Sequence, residues 1–258
     1  MTKNRFTGKV LVITGGAGGL GAAIALEAGL QGGAIAILDT NKAAIELLVA
    51  NLRSQGITAD GRVVDVRDGN AVTNVISELA DSLSGIDILI SAAGGSLGTP
   101  RDLDDITDDD LDLVLDVNVK GTYYCARAAI PHMKKRGGGA IVTFSSIGGR
   151  SASPVTGVPY AAAKAAILGL TRRLAKEVGL DNIRVNAVAP GLFLTDRLTG
   201  MFEKLSSTER DEVLSGIPLG RMPEIRECVD PVLFLASNES SYITGAVLDV
   251  NGGRLMPN

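Results

Sequence analysis

The sequence Lys9-Val10-Leu11-Val12-Ile13-Thr14-Gly15-Gly16-Ala17-Gly18-Gly19-Leu20-Gly21 joins a short apolar run to a cluster of glycines. An apolar helical stretch, Ala22 to Leu30, follows directly. An apolar run without polar alternation is typical of a strand that is buried on both faces. Strand, glycine turn and helix in this order predict the first unit of a parallel α/β sheet.

The glycine cluster predicts a phosphate-binding loop. Glycines let the backbone approach a pyrophosphate, and the N-terminus of the next helix supplies N–H donors and a partial positive charge. The same glycines would also suit a turn that only packs a helix tightly on a strand. The flanking strand and helix favour a nucleotide, and the predicted contacts are Gly15, Gly18, Gly19, Leu20 and Gly21.

The second apolar run, Ala34 to Leu38, ends at Asp39. A carboxylate at this strand end can accept hydrogen bonds from ribose hydroxyls and would repel a 2′-phosphate. Its distance from Gly15 is close to the roughly 20 residues expected in a dinucleotide site. No Lys or Arg stands beside it, so the sequence favours NAD over NADP. An Asx turn, or a cap for a helix from Lys42 to Arg53, remains the alternative role.

The alternation of strands and helices continues to the end of the chain. We therefore predict one doubly wound, Rossmann-type α/β domain over residues 1–258, with a seven-stranded parallel sheet flanked by helices. The remaining strands are predicted at Gly61–Val64, Ile86–Ile90, Ala140–Phe144, Ile183–Ala189 and Ala246–Val250.

Two further strand ends carry candidate cofactor contacts. Asp65 could accept a hydrogen bond from an adenine amino group, with Val66 alongside, or it could instead cap a helix from Ala71 to Leu83. After the fourth strand, small residues that include Ala93 and Gly94 would let a flat ring or a ribose lie against the backbone.

An acidic run, Asp102 to Asp112, precedes a long predicted helix, Asp108 to Arg136. Thr107 and Asp110 have capping-box spacing, so the run is interpreted as a solvated helix entrance. Metal binding is the alternative, but no other residues converge on it and no metal is expected. His132 is expected on the surface near the end of this helix.

Tyr160-Ala-Ala-Ala-Lys164 lies in a helix that is predicted to run to Gly179. Residues four apart share a helix face, and an ammonium there favours phenolate over phenol. The pair predicts a general acid or base that works near neutral pH, although this spacing also arises by chance in many helices. The fifth strand delivers Ser146 at its C-terminal end, where open α/β sheets place their sites.

Composition excludes several function classes. A net charge of −4 gives no electrostatic reason to expect nucleic-acid binding. The sequence contains no run of 18 apolar residues, so no membrane span is predicted. The two cysteines, Cys125 and Cys228, are expected to be buried thiols in a reducing compartment. The N-terminus lacks an apolar signal core, so a cytoplasmic protein is expected.

Five motifs in order resemble the classical short-chain dehydrogenases/reductases. They are Thr14-Gly-x-x-x-Gly-x-Gly21, Asn118, Ser146, Tyr160-x-x-x-Lys164 and Pro190-Gly191, and the match extends from about Lys9 to Gly253. The resemblance implies dinucleotide binding by the first motif. It also implies a catalytic tetrad of Asn118, Ser146, Tyr160 and Lys164.

The resemblance extends to the segment after the sixth strand. Pro190 and Gly191 are implied cofactor contacts, and Thr195 looks like the family's carboxamide-binding threonine. Residues 192–218 form a long mixed segment that we interpret as a substrate lid. The sequence departs from the family at Ser91, where Asn is usual, so a hydrogen bond that stabilises the backbone could be lost there.

The resemblance implies an NAD-dependent oxidoreductase that interconverts a secondary alcohol and a ketone in a small or medium metabolite. A 3-oxoacyl ketoreductase that uses NADPH is the alternative, although it would more often carry a basic residue where Gly18 or Thr40 stands. A non-catalytic nucleotide-sensing or scaffold protein is a remote third reading, because it predicts a broken tetrad. The family's helix pairing implies a homotetramer formed through the helices Asp108–Arg136 and Tyr160–Gly179.

Overall fold

The computed structural model of the protein describes residues 4–152, 156–193 and 206–256. Seven strands form one parallel sheet in the order β3-β2-β1-β4-β5-β6-β7. The predicted fold class is therefore confirmed. The strands are β1 Val10–Thr14, β2 Ala34–Asp39, β3 Ala59–Val63, β4 Ile88–Ser91, β5 Gly139–Phe144, β6 Ile183–Pro190 and β7 Val247–Val250.

Helices cover both faces of the sheet. Their bounds are α1 Gly19–Leu30, α2 Lys42–Ser54, α3 Gly69–Ser82, α4 Asp108–Leu115, α5 Gly121–Lys135, α6 Val158–Val178, α7 Ser207–Ser215 and α8 Arg226–Ala236. Strand residues alternate between two buried clusters, because successive side chains of a strand point to opposite faces. Leu11 and Ile13 pack with α1, α2 and α8, whereas Val12 packs with α3, α5 and α6.

The sheet topology fixes where ligands can bind. The chain winds outward from β1 to β3 in one direction and from β4 to β7 in the other. The crevice at the carboxyl ends of β1 and β4 is the topological switch point, where open α/β sheets bind their ligands.

The predicted single helix Asp108–Arg136 is wrong in one respect. A π-helical turn, Asp116–Lys120, separates α4 from α5. The Thr107–Asp110 capping box is present at the start of α4, as predicted. A π turn accommodates one extra residue in a helix and is frequent at functional sites.

Other differences concern element boundaries. β3 begins at Ala59 instead of Gly61, and β4 begins at Ile88 instead of Ile86. The cap of α3 is Asp68, whose carboxylate accepts hydrogen bonds from the N–H groups of Asn70 and Ala71, so the alternative role of Asp65 as a cap is wrong. The predicted lid includes residues 194–205, which lie outside the described residues, and it stays a prediction.

Candidate active site

A cavity of about 460 Å³ lies at the carboxyl ends of β1, β2, β4, β5 and β6. Its position agrees with the switch point of the sheet. It is lined by most of the residues that the sequence predicts for the site, namely Gly15, Gly18, Gly19, Leu20, Gly21, Asp39, Ala93, Gly94, Ser146, Tyr160, Lys164, Pro190 and Gly191.

The loop between β1 and α1 has the geometry of an anion cradle. Gly15 has φ +60, and a Cβ there would lie 2.7 Å from the Cα of Ala93, so only glycine allows this approach. A Cβ on Gly18 would meet open space. No side chain caps the start of α1 and no acid lies in its first turn, so its N–H groups are open to an anion.

Asp39 holds the glycine loop as well as lining the cavity. One carboxylate oxygen accepts a hydrogen bond from the Ala17 N–H at 3.1 Å, and the other accepts one from the Asn41 N–H at 3.1 Å. The second bond is an Asx turn, one of the alternatives that the sequence left open. The cap of α2 is Asn41, not Asp39.

The side chain of Asn118 is buried and fully engaged with backbone groups. Its Oδ1 accepts a hydrogen bond from Gly95 N–H at 3.0 Å, and its Nδ2 donates to the carbonyls of Gly95 and Val114 at 3.0 and 2.8 Å. A Cβ on Gly94 would collide with Oδ1 of Asn118 and would lie 3.4 Å from Nζ of Lys164. Asn118 therefore fixes the loop after β4 close to Lys164.

Lys164 and Tyr160 project from the first turns of α6 into the cavity. Nζ of Lys164 lies 5.6 Å from the centroid of the Tyr160 ring and donates a hydrogen bond to the carbonyl of Phe144 at 2.8 Å. Lys164 is only 5% exposed. The ammonium is thus held against both the phenol ring and the end of β5, as the four-residue spacing predicts.

Two adjacent serines directly follow β5, and their side chains make different contacts. Ser145 is buried, and its Oγ donates a hydrogen bond to the Lys164 carbonyl at 2.8 Å. Ser146 lines the cavity, and its Oγ accepts a hydrogen bond from the Gly148 N–H at 3.1 Å. A Cβ on Gly149 would collide with the backbone of Lys164, so the turn after Ser146 packs directly on α6.

Two of the predicted cofactor contacts lie outside this cavity. Asp65 accepts hydrogen bonds from Nε and Nη2 of Arg67 at 2.8 and 2.6 Å, and this contact lowers the pKa of its carboxyl group. Val66 is buried beneath Gly121. The third, Thr195, lies outside the described residues.

Five residues that line the cavity were not among the predicted catalytic or cofactor-contact residues: Ala92, Gly95, Phe144, Ser145 and Phe193, the last of which belongs to the predicted lid. Each lies next to, or two positions from, a predicted site residue. Continuing each motif by one or two positions at the carboxyl end of its strand would have found them.

The histidine and the two cysteines do not line the cavity. His132 lies in the last turn of α5, and burial followed by the charge of Lys135 lowers its pKa. Cys125 and Cys228 are buried free thiols, and burial raises the pKa of each to about 12. Within the described ranges, no helix combines the length and apolar character needed to cross a bilayer.

Comparison with known proteins identifies the family. A family model described as enoyl-(acyl carrier protein) reductase matches residues 15–254. The 3-oxoacyl-[acyl-carrier-protein] reductase FabG of Thermotoga maritima is 38% identical over 251 residues, which cover 96% of this chain and 98% of that protein. The chain therefore belongs to the classical short-chain dehydrogenase/reductase family and is an oxidoreductase of that family.

Solved structures agree with this assignment. An NAD+-bound xylitol dehydrogenase has a TM-score of 0.90 and 32% identity, with 96% of this chain and 99% of that chain covered. A 3-oxoacyl-[acyl-carrier protein] reductase from Brucella melitensis with bound NAD has a TM-score of 0.89 and 33% identity, with 99% and 94% covered. Relatives of this chain thus include both alcohol dehydrogenases and 3-oxoacyl reductases.

Proposed function

We propose that the protein is an NAD-dependent oxidoreductase that interconverts a secondary alcohol and a ketone in a small or medium metabolite. One observation carries the proposal: a single cavity is lined by the glycine loop and Asp39 on its β1–β2 side and by Ser146, Tyr160 and Lys164 on its β5–α6 side. Such a cavity can hold a dinucleotide next to an acid–base group.

The residues present fit a dinucleotide. The open N-terminus of α1 and the side-chain-free surface at Gly18 suit a pyrophosphate. Asp39 suits ribose hydroxyls and disfavours a 2′-phosphate, which supports NAD over NADP. Ala93, Gly94, Pro190 and Gly191 offer a surface of small side chains for the rest of the cofactor. The contacts predicted for Asp65, Val66 and Thr195 stay predictions.

A bound cofactor would supply the hydride chemistry, as NAD+ for oxidation of the alcohol and as NADH for reduction of the ketone. Tyr160 as phenolate accepts the hydroxyl proton in the oxidation direction. The ammonium of Lys164 favours that phenolate, because opposite charges a few ångströms apart stabilise the charged form. Ser146 is positioned to hydrogen-bond the substrate oxygen and steady the charge that develops there.

The proposed role of Asn118 in the tetrad is to hold neighbouring backbone in place. Both N–H groups of its amide donate to carbonyls, and its oxygen accepts from Gly95. We infer that it holds the loop after β4 and the cavity wall near Lys164 in place. If a water relays the proton near Asn118, a group other than these two engaged N–H donors has to hold it.

A 3-oxoacyl ketoreductase is the second candidate. The reductases of Thermotoga maritima and Brucella melitensis favour it, whereas Gly18 and Thr40 leave the positions that would suit NADPH without a basic residue. The third reading, a non-catalytic protein, is disfavoured, because the chain belongs to an oxidoreductase family and Ser146, Tyr160 and Lys164 meet at one cavity.

Initial rates separate these candidates. Purified protein is assayed for NADH and NADPH formation over a panel of secondary alcohols, and for cofactor oxidation with an acetoacetyl thioester. The proposal expects alcohol oxidation with NAD at a higher kcat/KM than with NADP. Preferred thioester reduction with NADPH would support the second candidate, and no turnover in either assay would support the third.

We also propose that the protein is a homotetramer in the cytoplasm. The support is the family's helix pairing and the presence of two buried free thiols, which suit a reducing compartment. Light scattering coupled to size-exclusion chromatography tests the assembly, and a monomer would refute it.

A further inference from the structure

A second cavity, of about 280 Å³, adjoins the candidate active site. Gly191 and Phe193 line both cavities, so the segment that follows β6 forms a wall common to the two. Apolar side chains line the second cavity at this wall, and Ile217, Leu219 and Val250 extend that apolar surface. The second cavity is therefore the neighbour of the cavity that Tyr160 lines.

Three arginines lie in or beside the second cavity, and two of them are neutralised. Arg221 donates to both carboxylate oxygens of Glu227 at 2.6 and 2.7 Å. Arg150 forms an ion pair with Asp249. The third is Arg254, which is partly buried and, within the described residues, makes no side-chain ion pair.

The backbone at Arg254 is held firmly in place. Oδ1 of Asn251 accepts a hydrogen bond from the Gly253 N–H at 3.0 Å, and the Arg254 N–H donates to the Asn251 carbonyl at 3.2 Å. Gly252 and Gly253 have φ of +64 and +85, so the tight turn depends on glycine.

This turn is also fixed to both sides of the second cavity. The Gly191 N–H donates to the Val250 carbonyl at 2.9 Å, and the Leu219 N–H donates to the Gly252 carbonyl at 3.2 Å. A Cβ on Gly252 would lie 2.7 Å from Ile217. The fold therefore fixes the backbone of Arg254 at the second cavity, and its side chain makes no ion pair with the described residues.

We propose that Arg254 binds a carboxylate of the substrate, so that the preferred substrates are secondary hydroxy acids and the matching keto acids. This inference rests on the proposed function of the first cavity. A guanidinium binds a carboxylate through two parallel hydrogen bonds, which fixes orientation as well as adding affinity. The apolar wall takes the short carbon chain between the hydroxyl and the acid.

Matched substrates test the proposal. Rates of NAD reduction are measured with 3-hydroxybutyrate and its methyl ester, for wild type, Arg254→Gln and Arg254→Lys. Arg226→Gln is the control, because Arg226 pairs with Asp230 on the exposed face of α8. We expect Arg254→Gln to lower kcat/KM for the acid by roughly 10- to 100-fold, mainly through KM, as for loss of a charged hydrogen bond.

The ester and the Lys variant make the result specific. The rate with the ester should change less than about twofold in Arg254→Gln, and Arg254→Lys should recover part of the acid activity, because Lys keeps the charge but loses the fork. Equal losses for acid and ester would show a structural role for Arg254 and overturn the proposal. An unchanged acid rate in Arg254→Gln would also overturn it.

A binding measurement keeps the inference separate from the proposed function. Thermal unfolding is followed with butyrate or butyramide in the presence of NAD. Butyrate should stabilise the wild type and not Arg254→Gln, and butyramide should stabilise neither. If no alcohol is oxidised, the proposed function fails, and the butyrate result still decides the carboxylate site. Equal stabilisation by butyrate in both proteins, or none in either, would overturn the site.

Discussion

Asp39 has a structural role and a proposed role in cofactor specificity, both through the same carboxylate. Its hydrogen bond to Ala17 holds the glycine loop, and its charge faces the cavity where the cofactor ribose is proposed to bind. Its position at a strand end after a glycine loop was enough to predict that Asp39 lies at the binding cavity. The bond to Ala17 was not predictable, because it depends on how the loop folds back over β2.

Asp39→Asn is expected to weaken discrimination against NADP. Asn keeps an oxygen that can accept from Ala17 while it removes the negative charge that repels a 2′-phosphate. We expect the ratio of kcat/KM for NAD over NADP to fall by roughly 10- to 100-fold, since like charges in close contact cost several kcal/mol. A wild type that already prefers NADP would contradict this account of Asp39.

The Ser91→Ala variant tests whether an unsatisfied hydroxyl at this position lowers the stability of the protein. Ser91 stands where the family usually has Asn, it is buried, and its Oγ has no hydrogen-bond partner among the described residues. An unsatisfied buried hydroxyl costs about 1–3 kcal/mol. We therefore expect Ser91→Ala to raise the free energy of unfolding by about 1 kcal/mol in urea denaturation.

Ser145→Ala is the matched control for Ser91→Ala. Ser145 is equally buried, but its hydroxyl donates to the Lys164 carbonyl. This variant should be destabilised by about 1 kcal/mol. If both serine variants are destabilised alike, Ser91 has a partner that this account has missed.

At the scale of elements, the π turn between α4 and α5 is the main feature that the sequence did not reveal. Its signature is a hydrogen-bond pattern, and residues 108–135 otherwise have ordinary helical periodicity. Asn118 was the only residue in the sequence that hinted at an irregular turn there, because Asn is a poor helix former. The strands were predictable because apolar runs buried on both faces are distinctive. Their exact ends were not, since neighbouring strands decide them.

The packing of α5 against Val66 gives a prediction at Gly121. A Cβ there would lie 2.6 Å from Cγ2 and 2.9 Å from Cβ of Val66. Overpacking of this kind costs about 1–3 kcal/mol, and the gain in helix propensity offsets about 1 kcal/mol of it. We expect Gly121→Ala to lower the free energy of unfolding in urea. The double variant with Val66→Ala should recover stability, and no recovery would contradict the clash.

At the scale of the whole molecule, a buried carboxylate joins the N-terminal ends of the strands. Asp87 is 2% exposed and accepts hydrogen bonds from the Val10 N–H, Lys9 and Arg136. Burial alone would raise its pKa, but the Val10 N–H, Arg136 and Lys9 outweigh burial, and the pKa is lowered from its ordinary value of 3.8.

This pKa shift predicts how stability depends on pH. Because the folded state holds the Asp87 carboxylate more tightly than the unfolded chain does, its contribution is complete above pH 3.8 and is lost as pH falls through the folded-state value. Asp87→Asn should lower the free energy of unfolding at pH 7 by about 1–3 kcal/mol. The difference between wild type and variant should shrink below about pH 4. A difference that stays constant down to pH 3 would contradict this role.

The molecule as a whole was more predictable than its contacts. The sequence predicted the sheet, its strand number and the position of Ser146, Tyr160 and Lys164 at one cavity, because each of these follows from strand ends and helix spacing. Asp65 pairs with Arg67, only two residues away, and does not line the cavity, so its predicted contact with the cofactor stays a prediction. The role of Asn118 in holding Gly95 is a contact between distant segments, which spacing alone does not reveal.

The most direct test of the central claim is the turnover of Tyr160→Phe with NAD and the best alcohol of the panel. Calorimetry should show that the variant still binds NAD, and Tyr242→Phe, at a fully exposed position, should keep wild-type activity. Because Tyr160 is the proposed acid–base group, its loss should lower kcat by about 100-fold or more. A Tyr160→Phe variant with wild-type kcat would contradict the proposed mechanism.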